Sequence, residues 1–373
     1  CDLYIEGADQ YRGWFQYSLL TAVDTDGSSP YKTCCSCGWV VDGEGRKMSK
    51  SLANGTAPEK ITEEYGADIL RLWVASSDYH SDVRISFEYL KQLSESYRKI
   101  RNTARYILGN LSDFNPDTDS VAFDDMMEID RWAVAITNNM VDEVRNAYEA
   151  LDFHIVYHAI HNYCSGDMSS FYLDVLKDRL YTEKSDGIAR RSAQTAIYQA
   201  LRTLTLLLAP ILSFTAEEIW QYIPESREYD KTSVMLNDMP TFKKDLVSQE
   251  FVEKWDKLHA IREDVNKALE LARAAKTIGK SLDAAVTIYC SEDIYTSAKA
   301  MEKDLPMLFI VSQVELVSGG KGEVDGALEG LSVTVKSASG SKCERCWMFS
   351  EDVGKNSEHP TLCGRCAAVM STI

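Results

Sequence analysis

Glu44-Gly45-Arg46-Lys47-Met48-Ser49-Lys50-Ser51-Leu52, coming just after the apolar run Trp39-Val40-Val41, decides how the rest of this chain is read. A short apolar strand runs into a Gly- and Ser-rich turn, which sets Lys47, Ser49, Lys50 and Ser51 on one loop. Two ammonium groups and two hydroxyls suit a polyphosphate leaving group. Charge-assisted bonds to phosphoryl oxygens are strong, and lysine supplies them as a point charge on a long stem. Composition alone also allows an ordinary solvated basic loop. Upstream, Tyr4-Ile5-Glu6-Gly7-Ala8-Asp9-Gln10-Tyr11-Arg12-Gly13-Trp14-Phe15 reads as a strand end, a Gly turn and a helix start. That helix continues to Val23 with apolar residues at 14, 15, 19, 20 and 23. In open α/β sheets ligands collect at the carboxyl ends of strands. Glu6, Asp9 and Gln10 are therefore predicted to cluster at such an edge, suited to an ammonium group and to ribose hydroxyls. Turn carboxylates and a helix N-cap are the plainer alternative.

The ten cysteines divide into groups with different meanings. Cys343-x2-Cys346, sixteen residues, then Cys363-x2-Cys366 is a four-thiolate pattern. Each pair can bind one ion from a tight turn, and two turns complete a tetrahedron, for which zinc is the fitting metal. Gly364 is expected to help the second turn bend, and Lys342, Arg345 and Arg365 to offset the sulfur charge. A redox pair is the rival reading, weakened by the second matched pair. Cys34, Cys35 and Cys37 fall on a predicted strand, with 35 and 37 on one face and 34 on the other. Small buried hydrophobes is the simplest account of them. Cys164 and Cys290 carry no pattern, and His154, His158 and His161 share a helical face without a completing ligand set.

At 373 residues the chain has room for two or three domains, and 45% apolar with 10% aromatic content is that of a packed protein. No run approaches a membrane span and no leader is recognisable. Net charge is −17, from 57 acidic and 40 basic residues, which by itself argues against nucleic acid. Local distribution is the better guide. Lys91, Arg98, Lys99, Arg101 and Arg105 gather against Glu95, and Arg262, Lys267, Arg273, Lys276 and Lys280 form a second, diluted stretch. Solvated helix faces explain both about as well as RNA does.

Residues 1 to about 80 alternate strand and helix. From about 86 the pattern turns helical: Trp132, Ile136, Met140, Val144, Tyr148 and Leu151 make one stripe. Ile188, Ala193, Ile197, Ala200, Leu201, Leu204 and Leu208 make another, ended by Pro210. A polar stretch, 224–244, precedes a long helix at about 249–275. Beyond Gly279, Val286–Tyr289, Leu308–Val311 and Leu331–Val335 are β-type runs with a helix between the first two.

In this strand–loop setting Lys-Met-Ser-Lys-Ser resembles the signature loop of class I aminoacyl-tRNA synthetases. The likeness continues in family order through Ala67-Asp68-Ile69-Leu70-Arg71-Leu72-Trp73, Arg101-Asn102-Thr103-Ala104-Arg105, Ala209-Pro210-Ile211-Leu212-Ser213-Phe214-Thr215-Ala216-Glu217-Glu218 and Cys343-Glu344-Arg345-Cys346-Trp347. It covers nearly the whole chain and is similar to the bacterial zinc-containing isoleucyl branch; the valyl, leucyl and methionyl branches share the loop and the helical domain. The resemblance implies a mixed fold: a partial α/β Rossmann-type catalytic segment (1–85), a helical anticodon-binding bundle (86–279), an α+β junction (280–340) and a zinc ribbon (341–373). It implies a ligase using isoleucine, ATP with magnesium, and tRNA(Ile), monomeric and cytoplasmic. Lys50 would contact the phosphates as pyrophosphate leaves, with Lys47 in support and Met48 as a packing hinge. Glu6, Asp9 and Gln10 would hold the adenylate's amino group and ribose, and Trp14 would line the amino-acid pocket. The family's His-Ile-Gly-His signature and editing insertion are absent, so the chain is expected to be a fragment, inactive alone. Cys37-Gly38 stands where the family usually has His-Gly, leaving any adenine contact there open. A non-catalytic tRNA-binding module, or a product retaining neither activity, are the competing readings.

Overall fold

The computed structural model describes residues 1–49, 51, 52 and 54–372. Strands β1 (Leu3–Gly7) and β2 (Thr33–Cys37) pair in parallel, Leu3 opposite Thr33 and Gly7 opposite Cys37. Helix α1 (Trp14–Asp26) makes the crossover that parallel strands need, and it ends at Gly27 in the left-handed conformation, φ 70°. A second parallel pair joins β3 (Val40–Val41) to β4 (Val83–Arg84), with α2 (Pro58–Tyr65) and α3 (Ala67–Ser76) between them in sequence. The predicted amphipathic helix exists, but its apolar stripe is not packed away. Phe15 is buried, whereas Trp14, Leu19, Leu20 and Val23 stand in solvent. Periodicity specifies an apolar face; it does not supply the surface that covers it.

The helical region contains α4 (Phe87–Gly109), the single turn α5 (Pro116–Asp119), α6 (Glu128–Ala150) and α7 (Phe153–Asn162). A π-helical stretch, Tyr163–Tyr172, runs on into α8 (Leu173–Thr182), followed by α9 (Ile188–Leu208), α10 (Ser213–Tyr222) and α11 (Gln249–Ala274). Ser86 and Ser248 cap α4 and α11, their hydroxyls each accepting from the backbone N–H three residues on, at 3.2 Å. Both expected stripes face the core except at one end each: Leu151 is the left-handed cap of α6, φ 63°, rather than its last buried turn, and Ile188, the first residue of α9, is 65% exposed. The apolar core is continuous from Ile61 to Val335, so helices and junction are packed on one another. Inside it sits an ion pair. Fully buried Asp130 accepts from Arg179 Nη1 (2.9 Å) and Nη2 (2.6 Å), from the Tyr172 hydroxyl (2.7 Å) and from Ser192 Oγ (2.5 Å).

The junction is a four-stranded sheet of order β6-β5-β8-β7. Its elements are β5 (Ala284–Cys290), α12 (Glu292–Lys299), α13 (Leu305–Phe309), β6 (Gln313–Ser318), β7 (Val324–Asp325) and β8 (Leu331–Ser337). The central β5 pairs in parallel with β6 and antiparallel with β8. Leu308–Val311, expected as a strand, is instead the end of α13 and its cap. Pro306 starts the turn and Ile310 closes it at φ 55°, and a short buried apolar run reads alike as strand or helix. The strand of that region lies just beyond, in β6. Last come β9 (Ser341–Lys342), β10 (Phe349–Ser350) and α14 (Gly364–Met370). Among the described residues no helix is long and apolar enough to cross a membrane.

Candidate active-site cleft and metal centre

The parallel pairing sets Gly7 and Cys37 side by side at the carboxyl ends of β1 and β2. A cleft of about 570 Å³ opens there, lined by Ala8 and Tyr11 after β1, by β2 and Trp39, and by Tyr79, His80 and Asp82. The turn leaving β2 is fixed by backbone bonds: Gly38 donates to the Tyr79 carbonyl (2.8 Å) and Trp39 N–H to the Asp82 carboxylate (2.8 Å). Only glycine fits at position 38, because a Cβ would lie 2.2 Å from the Ser81 carbonyl oxygen. Cys35 is buried, Cys37 half-buried and Cys34 exposed, so the small-hydrophobe reading holds for Cys35 and fails for Cys34. Burial, with the Cys35 thiol and then Glu6 nearby, pushes the Cys37 thiol up, so this is not a reactive thiolate. Burial and a hydrogen bond with Cys35 raise Tyr79 as well.

The lysine loop starts at the rim of this cleft. Lys47 bridges back to Val41, and its ammonium lies 4.8 Å from the centre of the Trp39 ring. Trp39 is thus shared by loop and cleft, which sets Lys47 at the cleft's rim; Glu6 does not line the cleft. Met48 is partly buried against the main core, in keeping with a packing role. Lys50 lies outside the described residues. Two residues not singled out in the sequence brace the loop. Asp42 accepts from Glu44 N–H (3.0 Å), Arg46 N–H (2.8 Å), Arg46 Nε (2.9 Å) and Asn54 Nδ2 (2.8 Å). The Asn54 amide and these other donors hold the Asp42 carboxyl well below the usual carboxylate range. Asn54 Oδ1 in turn accepts from Ser49 N–H at 2.9 Å. Asp42-Gly43 after a strand is an Asx-turn signal that could have revealed the first of them.

The other expected contacts form a separate group. Gln10 donates to Asp9 (3.1 Å) and accepts from the Trp14 N–H (2.9 Å), making it the cap of α1. Glu6 and Asp9 are exposed, and Trp14 is 57% exposed beside Tyr4, ring centres 6.3 Å apart. Asp9, Gln10 and Trp14 flank the cleft residues Ala8 and Tyr11 in sequence but do not themselves line the cleft.

At the other end of the chain, Cys343, Cys346, Cys363 and Cys366 are all buried with their sulfurs within 4.8 Å of one another. The Cys346 and Cys363 sulfurs are 3.8 Å apart. A tetrahedron with metal–sulfur bonds of about 2.3 Å has edges of about 3.8 Å, so the four residues fit zinc. Burial opposes ionisation of Cys343, but backbone N–H groups, Cys346's first, outweigh it and bring that thiol to about 7. Burial and neighbouring sulfur raise Cys346 to about 11 and push Cys366 up too. A cation is what lets all four ionise together. Gly364 proves to be the first residue of α14 rather than a bend; its Cβ would meet the Asp352 carboxylate at 2.7 Å, which accepts the Gly364 N–H at 2.9 Å. The arginines inside the two knuckles are turned onto the end of α8. Arg345 donates to the Thr182 carbonyl (3.0 Å) and Arg365 to Asp178 (2.5 and 2.7 Å). Trp347, at φ 66° and 57% exposed, has the ammonium groups of Lys280 (5.9 Å) and Lys342 (5.7 Å) near its ring.

Three segments match described families: residues 1–86 "tRNA synthetases class I (I, L, M and V)", residues 130–288 "Anticodon-binding domain of tRNA ligase", and residues 340–369 "Zinc finger found in FPG and IleRS". The chain is 54% identical to an isoleucine–tRNA ligase of Syntrophotalea carbinolica over 99% of its own length, and 51% identical to that of Caldanaerobacter subterraneus over 98%. It spans 40% of the length of each of these relatives. Among solved structures, a Mycobacterium tuberculosis methionyl-tRNA synthetase bound to methionyl-adenylate matches with a TM-score of 0.52 at 20% identity, covering 61% of this chain and 45% of the other. A LeuRS of Agrobacterium radiobacter in complex with tRNA and LeuAMS matches with a TM-score of 0.50 at 20% identity, covering 78% and 30%. At that identity these two likenesses speak for the fold.

Proposed function

We infer that the chain belongs to the isoleucine–tRNA ligase family of class I synthetases, and we propose that the protein carrying it activates isoleucine with ATP and passes the aminoacyl group to tRNA(Ile). The observation that carries the catalytic part is the seat of Lys47 on Trp39, at the mouth of the cleft between the carboxyl ends of β1 and β2. Attack of the isoleucine carboxylate on the α-phosphorus needs positioning and charge stabilisation at the departing pyrophosphate, and lysines on a braced loop supply both. Lys50 is assigned the direct phosphate contact and Lys47 the supporting one, with magnesium accompanying the ATP. Glu6, Asp9 and Gln10 are assigned to the adenylate's ammonium and ribose, and Trp14 to the side-chain pocket; the exposure of Glu6, Asp9 and Trp14 leaves them open to a ligand.

In this reading residues 1–85 serve adenylation, 86–279 hold the anticodon arm, 280–340 join, and 341–373 form a ribbon whose zinc, on Cys343, Cys346, Cys363 and Cys366, is structural. Exposed Trp347, with two ammonium groups near its ring, is the feature of the ribbon best suited to a stacked base and its phosphates. The protein is taken to work as a cytoplasmic monomer.

The test is isoleucine-dependent ATP–pyrophosphate exchange by a chain of the relatives' full length. Lys50→Ala is expected to lower kcat by about a hundredfold or more, with isoleucine binding changed little. Exchange that Lys50→Ala leaves intact, or that valine, leucine or methionine drives as well as isoleucine, overturns the assignment. The 373-residue chain alone is expected to give none.

A further inference from the structure

One turn of α3 holds both ends of a turn in the helical bundle. Asp68, buried in the first turn of α3, accepts from the Thr215 N–H (2.7 Å), from the Thr215 hydroxyl (2.6 Å) and, more distantly, from the Phe214 N–H (3.4 Å). These are the orphan donors at the start of α10, whose own N-cap residue, Leu212, offers no side-chain acceptor. Asp68 is therefore the N-cap of α10, supplied from 147 positions away. Arg71, one turn on, donates through Nε to the Ile211 carbonyl (2.8 Å) and through Nη2 to the Pro210 carbonyl (2.7 Å), where the chain has just left α9. The carboxylate faces the positive end of one helix and the guanidinium the carbonyls following another, so both bonds are charge-assisted. Tyr97 of α4 completes the joint, its hydroxyl 2.9 Å from Thr215 Oγ1.

The far side of α3 leads to the lysine loop. Trp73 Nε1 donates to the Arg84 carbonyl in β4 (3.1 Å). β4 pairs with β3, Val41 opposite Arg84, and Ile85 N–H donates to the Val41 carbonyl (3.0 Å). Val41 is the residue that Lys47 bridges, and the Arg84 guanidinium lies about 3.4 Å from the Cβ position of Gly45. A continuous run of directed bonds thus joins the α9–α10 turn to the loop.

We propose that α3 is the coupling element through which the helical bundle sets the position of the lysine loop, with Asp68 and Arg71 as its positioning residues. This rests on the reading of the loop as the phosphate-binding one. It makes the placement of Lys47 and Ser49 depend on how the bundle is held, so that a ligand bound to the bundle can change the rate without touching substrate.

Hydrogen exchange on the chain itself tests the coupling without any activity. Asp68→Asn and Arg71→Gln are each expected to quicken exchange across residues 42–56 by about tenfold, while α6 and α9 stay within about twofold. Should Asp68→Asn unfold the bundle, Thr215→Val, which removes one hydroxyl donor, takes its place. Loop exchange within about twofold of the parent in every folded variant overturns the proposal. In a chain of the relatives' length, kcat for isoleucine-dependent exchange, normalised to titrated active sites, is expected to fall about tenfold to a hundredfold with both KM values within about threefold. An equal loss of active sites with kcat intact shows a merely structural joint and overturns it. A parent chain without isoleucine-dependent exchange defeats the functional reading instead and leaves the loop-exchange result to stand alone.

Discussion

Leu20 and Leu201 are the same residue on two helices of one molecule, and they are 58% and 0% exposed. The contrast extends to their surroundings. Among the described residues of 1–60, Phe15, Cys35 and Val41 are the buried apolar side chains, while Ile5, Trp14, Leu19, Leu20, Val23, Trp39 and Val40 are exposed. From Ile61 onward one core runs through bundle and junction. The first segment holds its shape by directed bonds: the parallel ladder of β1 and β2, the Asp42 and Asn54 brackets, and the Gly38 and Trp39 turn. The second holds by burial. Substitutions should therefore be tolerated in opposite ways, polar changes hurting the first region and apolar truncations the second.

The largest expected effect lies outside both, in the ribbon, whose four cysteines with Met348, Val353 and Leu362 form a small core of their own. Structural zinc contributes about 10–16 kcal/mol in small zinc peptides, far more than such a cluster can supply. Chelation should disorder residues 340–372 and free Arg345 and Arg365 from α8, while far-ultraviolet circular dichroism from the helices persists. Collapse of the helical signal on chelation would mean that the bundle leans on the ribbon, and the division drawn here would be lost.

Next comes Asp130→Ala. It leaves Arg179 buried without its counter-charge, a loss of about 3–5 kcal/mol by denaturant unfolding. Replacing the pair by apolar residues of similar volume should cost much less, because desolvation offsets most of the Coulomb gain. That pair shows where sequence reading stops. The stripes of α6 and α9 follow from spacing within one element, as do the paired cysteines, and so were legible. Asp130 and Arg179 are 49 positions apart, and Asp68 and Thr215 are 147 apart; each partner reads alone as a surface charge or an ordinary hydroxyl. The same limit hid the fate of α1, whose apolar face was legible and whose lack of cover was not. The β-type run at Leu308–Val311 failed differently: its apolar content was right, and the left-handed Ile310 that ends α13 leaves no mark in composition.

The leucines give the direct comparison. Leu201→Ala should destabilise by about 2–5 kcal/mol through lost transfer energy and the cavity left behind. Leu20→Ala should stay within about 0.5 kcal/mol, as for surface changes away from special features. Measured by denaturant midpoint at constant slope, the two values test whether the first segment has a core of its own in solution. A loss at Leu20 approaching that at Leu201 would show that α1 is covered, by a second copy or otherwise.

The smallest effect concerns pH and the bracket that stands in for a core around the lysine loop. The Asp42 carboxyl is depressed by Asn54 and Arg46, so its bonds favour the folded loop at any pH above the ordinary carboxylate value of about 4. As pH falls below that value, a protonated Asp42 in the unbraced loop gains on the ionised form in the folded one, and the contribution is lost progressively through the depressed folded value. The amide resonances of Glu44, Arg46 and Ser49 should therefore hold steady from neutrality to about pH 4 and shift only in stronger acid, before the core helices report any change. Asp42→Asn should reproduce the acid form at neutral pH, removing the charge while keeping the size. A loop whose resonances move together with those of α9, in one transition, would show that burial rather than this carboxylate fixes it, and the two regions would be held by the same means after all.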